Sequence, residues 1–215
     1  MELLATFVDV MLRLDVHLGA LISAYGAWVY LILFLVIFAE TGLIVTPFLP
    51  GDSLLFVAGA LAALGGLNVH FLVACLIVAA ILGDGVNYGV GRWLGRWILE
   101  PGRFRWVRRE HFDRAHAFYE KHGGAAIIIA RFLPIFRTYV PFVAGLAAMS
   151  YPRFTFFNVT GGILWVTSLT YAGYFFGNIP WVKNNLSLVI VGIVVLSILP
   201  GIIEYLRHRF KSRTA

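Results

Sequence analysis

Four ionisable residues, Glu40, Asp52, Arg131 and Arg137, stand in or beside apolar stretches that prolines interrupt. A charge at the centre of a bilayer costs at least ~2.5 kcal/mol on insertion scales, so a charged side chain kept at that depth is by default functional or paired. Arg131 and Arg137 are six residues apart with Pro134 between them. They offer two planar forks suited to phosphate or carboxylate. Pro141 is expected to begin a half-helix over 141–149. That would set Arg137 just before a helix N-terminus, where free amides and the dipole also favour an anion. Arg131 and Arg137 are therefore the candidate phosphate-binding residues. The structural alternative is that they only pair with Glu40 and Asp52 and hold the broken segments together.

The carboxylates divide differently. Pro50-Gly51-Asp52-Ser53 before an apolar run has the pattern of a turn and helix N-cap, which is compatible with a site role for Asp52. Glu40 ends an apolar helix just before Thr41-Gly42 and has no such local role. A carboxyl group in a low-dielectric site is suited to proton exchange, so Glu40 and Asp52 are the candidates for proton coupling. Asp84, in Gly83-Asp84-Gly85-Val86-Asn87-Tyr88-Gly89, is read either as a second acidic site or as a partner of Arg92, two helical turns along. Asp84 and Arg92 are thus secondary candidates.

Other constellations carry less. Glu110, His111, Asp113, His116 and Glu120 crowd one segment. The two histidines are five apart and do not share a helical face as an i, i+4 pair would, so an amphipathic surface helix over 106–121 is expected there and no metal site. There is no G-x-S-x-G, P-loop or H-E-x-x-H motif. An enzyme would lack a nucleophile, and neither metal nor organic cofactor is called for. Cys75 stands alone and forms no internal disulfide.

The elements that must position these residues are apolar. Of 215 residues, 60% are hydrophobic and 13% charged, against ~25% charged in soluble domains. That leaves too little polar surface for a water-exposed globule. No polar stretch is long enough to fold separately, so one membrane domain over 1–215 is expected. A spanning helix needs about 20 apolar residues. Residues 21–39, 69–91, 155–177 and 186–205 qualify. Residues 41–66 are broken by Pro47, Pro50 and Gly51, and 123–149 by Pro134 and Pro141. Irregular backbone survives at membrane depth only when buried in protein or lining a wet cavity, so both read as re-entrant hairpins. Residues 2–16 have the spacing of an amphipathic helix at the membrane surface, the alternative being a frayed terminus.

The net charge of +6 gathers in 92–121 and 206–215. Beside apolar segments, such clusters mark cytoplasmic loops and contact anionic lipid rather than nucleic acid. With both cytoplasmic, the crossings require that 41–66 enters from outside and 123–149 from inside, and both termini are cytoplasmic. Opposed hairpins are the layout of an inverted-repeat transporter. Phe56-Val57-Ala58-Gly59 recurs as Phe142-Val143-Ala144-Gly145, each after a proline-bearing break. Gly85/Gly89, Gly91/Gly95 and Gly173/Gly177 are small-xxx-small spacings, read as helix packing that also permits a homodimer. Asn158 and Trp165 are read as serving helix contacts or the membrane interface.

Phe38-Ala39-Glu40-Thr41-Gly42 and Pro47-Phe48-Leu49-Pro50-Gly51-Asp52-Ser53-Leu54-Leu55 resemble the DedA family signature. So do Gly83-Asp84, Tyr88-Gly89, Gly91-Arg92, Ala130-Arg131-Phe132-Leu133-Pro134, Arg137, Pro141, Ala144-Gly145, Phe154, Asn158 and Trp165. The resemblance covers roughly residues 25–180. It implies a bacterial inner-membrane protein with two opposed re-entrant hairpins, dependent on Glu40, Asp52, Arg131 and Arg137. It further implies a link to the return of undecaprenyl phosphate to the cytoplasmic leaflet, to phospholipid scrambling in related eukaryotic VTT-domain proteins, and to the proton-motive force. The expectation is an all-α integral membrane protein that translocates a polyprenyl phosphate or phospholipid, linked to protons. The alternatives are a proton-coupled antiporter for small cations or drugs, a gradient-independent phospholipid scramblase, and a structural membrane protein.

Overall fold

The computed structural model describes residues 14–43, 51–98, 117, 119, 123–133, 136–180, 182, 188 and 192. Every regular element among them is helical: α1 (Leu14–Tyr25), α2 (Trp28–Gly42), α3 (Gly51–Ala63), α4 (Val69–Ile98), α5 (Phe136–Leu146) and α6 (Tyr151–Gly177). Residues 123–130 are helical as well. Most of the amphipathic helix expected over 2–16, the surface helix over 106–121, the span over 186–205 and the tail lie outside the described residues.

Three expectations are corrected. The single span over 21–39 is two helices. Gly26 takes a left-handed backbone with φ of 53°, which glycine adopts without a Cβ clash. Its amide bonds to the Ile22 carbonyl at 3.0 Å, and its carbonyl accepts from the Val29 amide at 3.2 Å. The result is a helix stop followed at once by a helix start. At 15 residues, α2 is about 22 Å long, short of the ~30 Å hydrocarbon core. Secondly, α4 does not end at 91. Its 30 residues run through Arg92 and Arg96 to Ile98, so the basic segment expected as loop over 92–121 begins as helix. Asn68 starts this helix: its Oδ1 accepts the amides of His70 at 3.0 Å and Phe71 at 3.1 Å, as an N-cap does. Thirdly, Pro141 lies inside α5 rather than at its start.

Polarity is distributed inside out. Glu40, Asp84, Asn87, Arg131, Arg137, Thr138 and Asn158 are all at most 5% exposed, whereas Trp28, Phe175, Trp93 and Phe156 are 65–68% exposed. Water would penalise that exterior. Lipid would not, and it requires the polar groups to find partners inside. Among the described helices, Val69–Trp97 is the one both long and apolar enough to cross a membrane.

The chain packs as two compact units. One comprises Met1–Leu33, Pro50–Cys75 and Val166–Ala215; the other Phe34–Leu49 and Leu76–Trp165. Each contains one copy of the Phe-Val-Ala-Gly tetrapeptide, and each copy packs in the same register. In the first unit, a Cβ on Gly59 would strike the Thr170 carbonyl, one on Gly173 the Phe56 carbonyl and one on Gly177 the backbone of Ala60. In the second, a Cβ on Gly145 would strike the Tyr88 carbonyl, one on Gly91 the Phe142 carbonyl and one on Gly95 the Leu146 carbonyl. Thr170, Gly173 and Gly177 thus have the spacing of Tyr88, Gly91 and Gly95. The four-residue echo in the sequence marks a repeated helix-pair contact in which backbones touch because side chains are absent.

Candidate functional site

Unit two carries two buried ion pairs. Arg137, in the first turn of α5, donates through Nη2 to Glu40 Oε1 near the end of α2. Arg131, in the turn after 123–130, donates through Nη2 to Asp84 Oδ2 on α4 at 2.5 Å. The same Nη2 lies 2.5 Å from Asn158 Oδ1 on α6. All four charged side chains are at most 5% exposed. Removing one member of such a pair strands a buried charge.

Each pair sits in a socket. Arg137 places its guanidinium carbon 5.4 Å from the centre of the Trp165 ring, a cation–π distance. Trp165 is 1% exposed, so it supports the arginine from within and does not mark the membrane interface. Asn158 does make a helix contact, donating Nδ2 to the Ile81 carbonyl at 3.1 Å while its Oδ1 receives Arg131. Arg131 has room because α6 carries glycines opposite it. A Cβ on Gly161 would lie 3.0 Å from Arg131 Cδ, and one on Gly162 3.6 Å from Arg131 Nη2.

Asn87 joins the two strands of chain that bear the Glu40–Arg137 pair. Its Nδ2 donates to the carbonyls of Thr41 at 3.2 Å and Thr138 at 2.7 Å, the residues that follow Glu40 and Arg137. Both partners are acceptors only, so the amide orientation is fixed by chemistry. Pro141 contributes to this end of α5: it has no N–H to offer the Arg137 carbonyl one turn back. The fully buried Asn87 Oδ1 and Thr138 Oγ1 have no hydrogen-bond partner among the described residues. Beside an ion pair, this acceptor and this hydroxyl are polar capacity available to a water or a ligand group. Gly83 allows the approach, since a Cβ there would strike Thr41 Oγ1 and the Phe38 carbonyl.

Glu40 and Arg137 therefore meet, while Arg131 meets Asp84. Asp84 is the partner of Arg131 and not of Arg92. Arg92 Nη1 instead donates to Tyr88 Oη at 2.5 Å and to the Met149 carbonyl at 2.9 Å. Asp52 belongs to the other unit, in the first turn of α3. There a carboxylate complements the helix dipole, although it lies one residue inside the helix rather than at the cap. Arg137 likewise lies inside the first turn of α5 and not before a helix start at Pro141. Its amide and that of Phe136 both donate to the Leu133 carbonyl at 3.0 Å. Asn87, Thr138, Gly161 and Gly162 had no assigned role in the sequence. The Gly83-to-Gly89 motif was the available signal for Asn87.

Apolar outside, charged inside and helical throughout its described elements, the chain has the character of an integral membrane protein. Residues 49–175 match the VTT domain. The chain is 57% identical over 211 residues to Protein DedA of Escherichia coli (strain K12), covering 97% of this chain and 96% of that protein. It is 45% identical over 181 residues to a membrane protein of Mycobacterium leprae (strain TN), covering 84% and 81%. It is 39% identical over 180 residues to the inner membrane protein YqjA of E. coli (strain K12), again covering 84% and 81%. The chain belongs to the DedA family of VTT-domain membrane proteins. No solved structure matches it.

Proposed function

We propose that this protein is a proton-linked translocase for a phosphate-bearing lipid, with undecaprenyl phosphate returning to the cytoplasmic leaflet as its substrate. The observation that carries this reading is the buried Glu40–Arg137 pair. Its arginine presents the fork that phosphate prefers. Its carboxylate already occupies that fork, so the two anions compete. A proton on Glu40 removes the competing charge, and a phosphate oxygen takes its place on Arg137. Loss of the proton restores the pair and expels the phosphate. One proton then accompanies each headgroup, and neither the phosphate nor Arg137 is left without a counter-charge. Asn87 holds both backbones in register during the exchange. Thr138 Oγ1 and Asn87 Oδ1 supply further polar contacts, the first as donor or acceptor and the second as acceptor from a protonated phosphate oxygen or a water.

Arg131, held by Asp84 and Asn158, supplies a second positive charge and keeps the turn before α5 in place. Asp52 is assigned a proton-coupling role in the other re-entrant hairpin, and the lipid tail stays in the bilayer throughout. The test is competition in proteoliposomes. Transport of a labelled polyprenyl phosphate should be inhibited by unlabelled undecaprenyl phosphate and not by undecaprenol, which has the same tail and no phosphate. Equal inhibition by the two would remove the phosphate from the recognition. Inhibition by neither, with transport of small cations or drugs that needs Glu40, would favour an antiporter.

A further inference from the structure

The outer face of α4 carries a second feature, separate from the ion pairs. A cavity of about 450 Å³ lies against Gly85, Gly89, Arg92, Trp93, Arg96 and Tyr151, within the ~300–1,000 Å³ range of ligand sites. Gly85 and Gly89 form its floor. A Cβ at either would meet nothing within 4 Å, so these two glycines leave open space where Gly91 and Gly95 receive another helix. At one end stand Arg92 and Arg96, one turn apart. Arg92 is held by Tyr88 Oη and the Met149 carbonyl through Nη1. No carboxylate among the described residues pairs with Arg92 or Arg96. Trp93, 66% exposed, and Tyr151, 59% exposed, flank the cavity with the residue types that settle at headgroup level.

We propose that this groove is a binding site for an anionic phospholipid, with its phosphate on Arg92 and Arg96 and the first methylenes of its chain over Gly85 and Gly89. Charge selects this occupant. A second copy seated here in a two-fold contact would set the same patch against itself, opposing one arginine pair with another. An anionic headgroup neutralises both arginines, and the missing side chains at Gly85 and Gly89 leave open space in which a hydrocarbon chain can lie against the helix. The site is a resident-lipid site. It stands whether or not Glu40 and Arg137 move lipid, because it is read by binding and not by transport.

The experiment is native mass spectrometry of the full-length protein in detergent, titrated with phosphatidylglycerol or phosphatidylcholine of identical chains. Phosphatidylglycerol should be retained more tightly. Arg96→Gln, at an exposed position, should weaken it about fivefold, the effect of one basic residue at an anionic surface, and leave phosphatidylcholine unchanged. Gly89→Leu places a side chain in the open groove and should also weaken phosphatidylglycerol. Thermal unfolding of that variant near the parent value shows that the fold is kept, and if it unfolds, Arg96→Gln carries the test alone. Equal retention of the two lipids, or phosphatidylglycerol binding indifferent to Arg96→Gln, would overturn the proposal. So would a dimer that competes with lipid and is broken by Gly89→Leu.

Discussion

Glu40 and Arg137 stabilise each other only as a pair. Arg137→Gln leaves a buried carboxylate without its counter-charge and should cost about 3–5 kcal/mol. The combined Glu40→Gln, Arg137→Gln variant should lose much less than the two single changes summed. Thermal unfolding of the four proteins in one detergent gives the coupling, and additive losses would show that the contact contributes little. Asn87→Leu removes two buried hydrogen bonds and should destabilise by about 1–3 kcal/mol. Its loss of lipid exchange should exceed what that lower stability explains, because the amide aligns the backbones on either side of the pair. Asn87→Leu with normal exchange would reduce the residue to packing. The charges were legible in the sequence because an intramembrane charge is expensive wherever it stands. Their partners were not. Helical spacing directed Asp84 toward Arg92 on its own helix, whereas the actual partner comes from a turn 47 residues away. Asn87 and Thr138 carry no charge and so gave no comparable signal.

At the scale of helices, the glycines separate into those that touch and those that do not. Gly91→Ala and Gly173→Ala each drive a methyl group into a neighbouring carbonyl and should cost about 1–3 kcal/mol by overpacking. Gly85→Ala meets no protein atom and should be neutral or stabilising by up to about 1 kcal/mol through helix propensity. Unfolding temperatures of the three variants check this ordering, and a reversed order would contradict the packing described. The small-xxx-small pattern told where helices approach, but Gly85/Gly89 and Gly91/Gly95 look alike in sequence and differ in what faces them. The repeated Phe-Val-Ala-Gly was a better guide, since both copies meet a helix in one register. The break at Gly26 was hidden because a glycine within an apolar run is ordinary in membrane helices. Pro141 misled for a related reason. A proline read as a helix start lies inside α5, as membrane helices tolerate when neighbouring groups can satisfy the freed carbonyl.

For the whole molecule, the composition already implied lipid as solvent, and the buried charges and exposed aromatics agree with that. Orientation rests on the basic segments. With Cys75 replaced by serine, single cysteines introduced in 2–16 and 206–215 should both react with a membrane-impermeant maleimide only from the cytoplasmic side. Labelling of the two ends from opposite sides would require another crossing and overturn the expectation of opposed hairpins. The central claim is that proton binding at Glu40 and phosphate binding at Arg137 are one coupled event. The measurement that tests it most directly is leaflet exchange of labelled undecaprenyl phosphate in proteoliposomes, with an imposed proton gradient and without, for the unchanged protein and Arg137→Ala. Exchange that the gradient accelerates and that Arg137→Ala abolishes is the expected result. Exchange that ignores the gradient, or survives loss of Arg137 in a folded protein, would contradict the coupling.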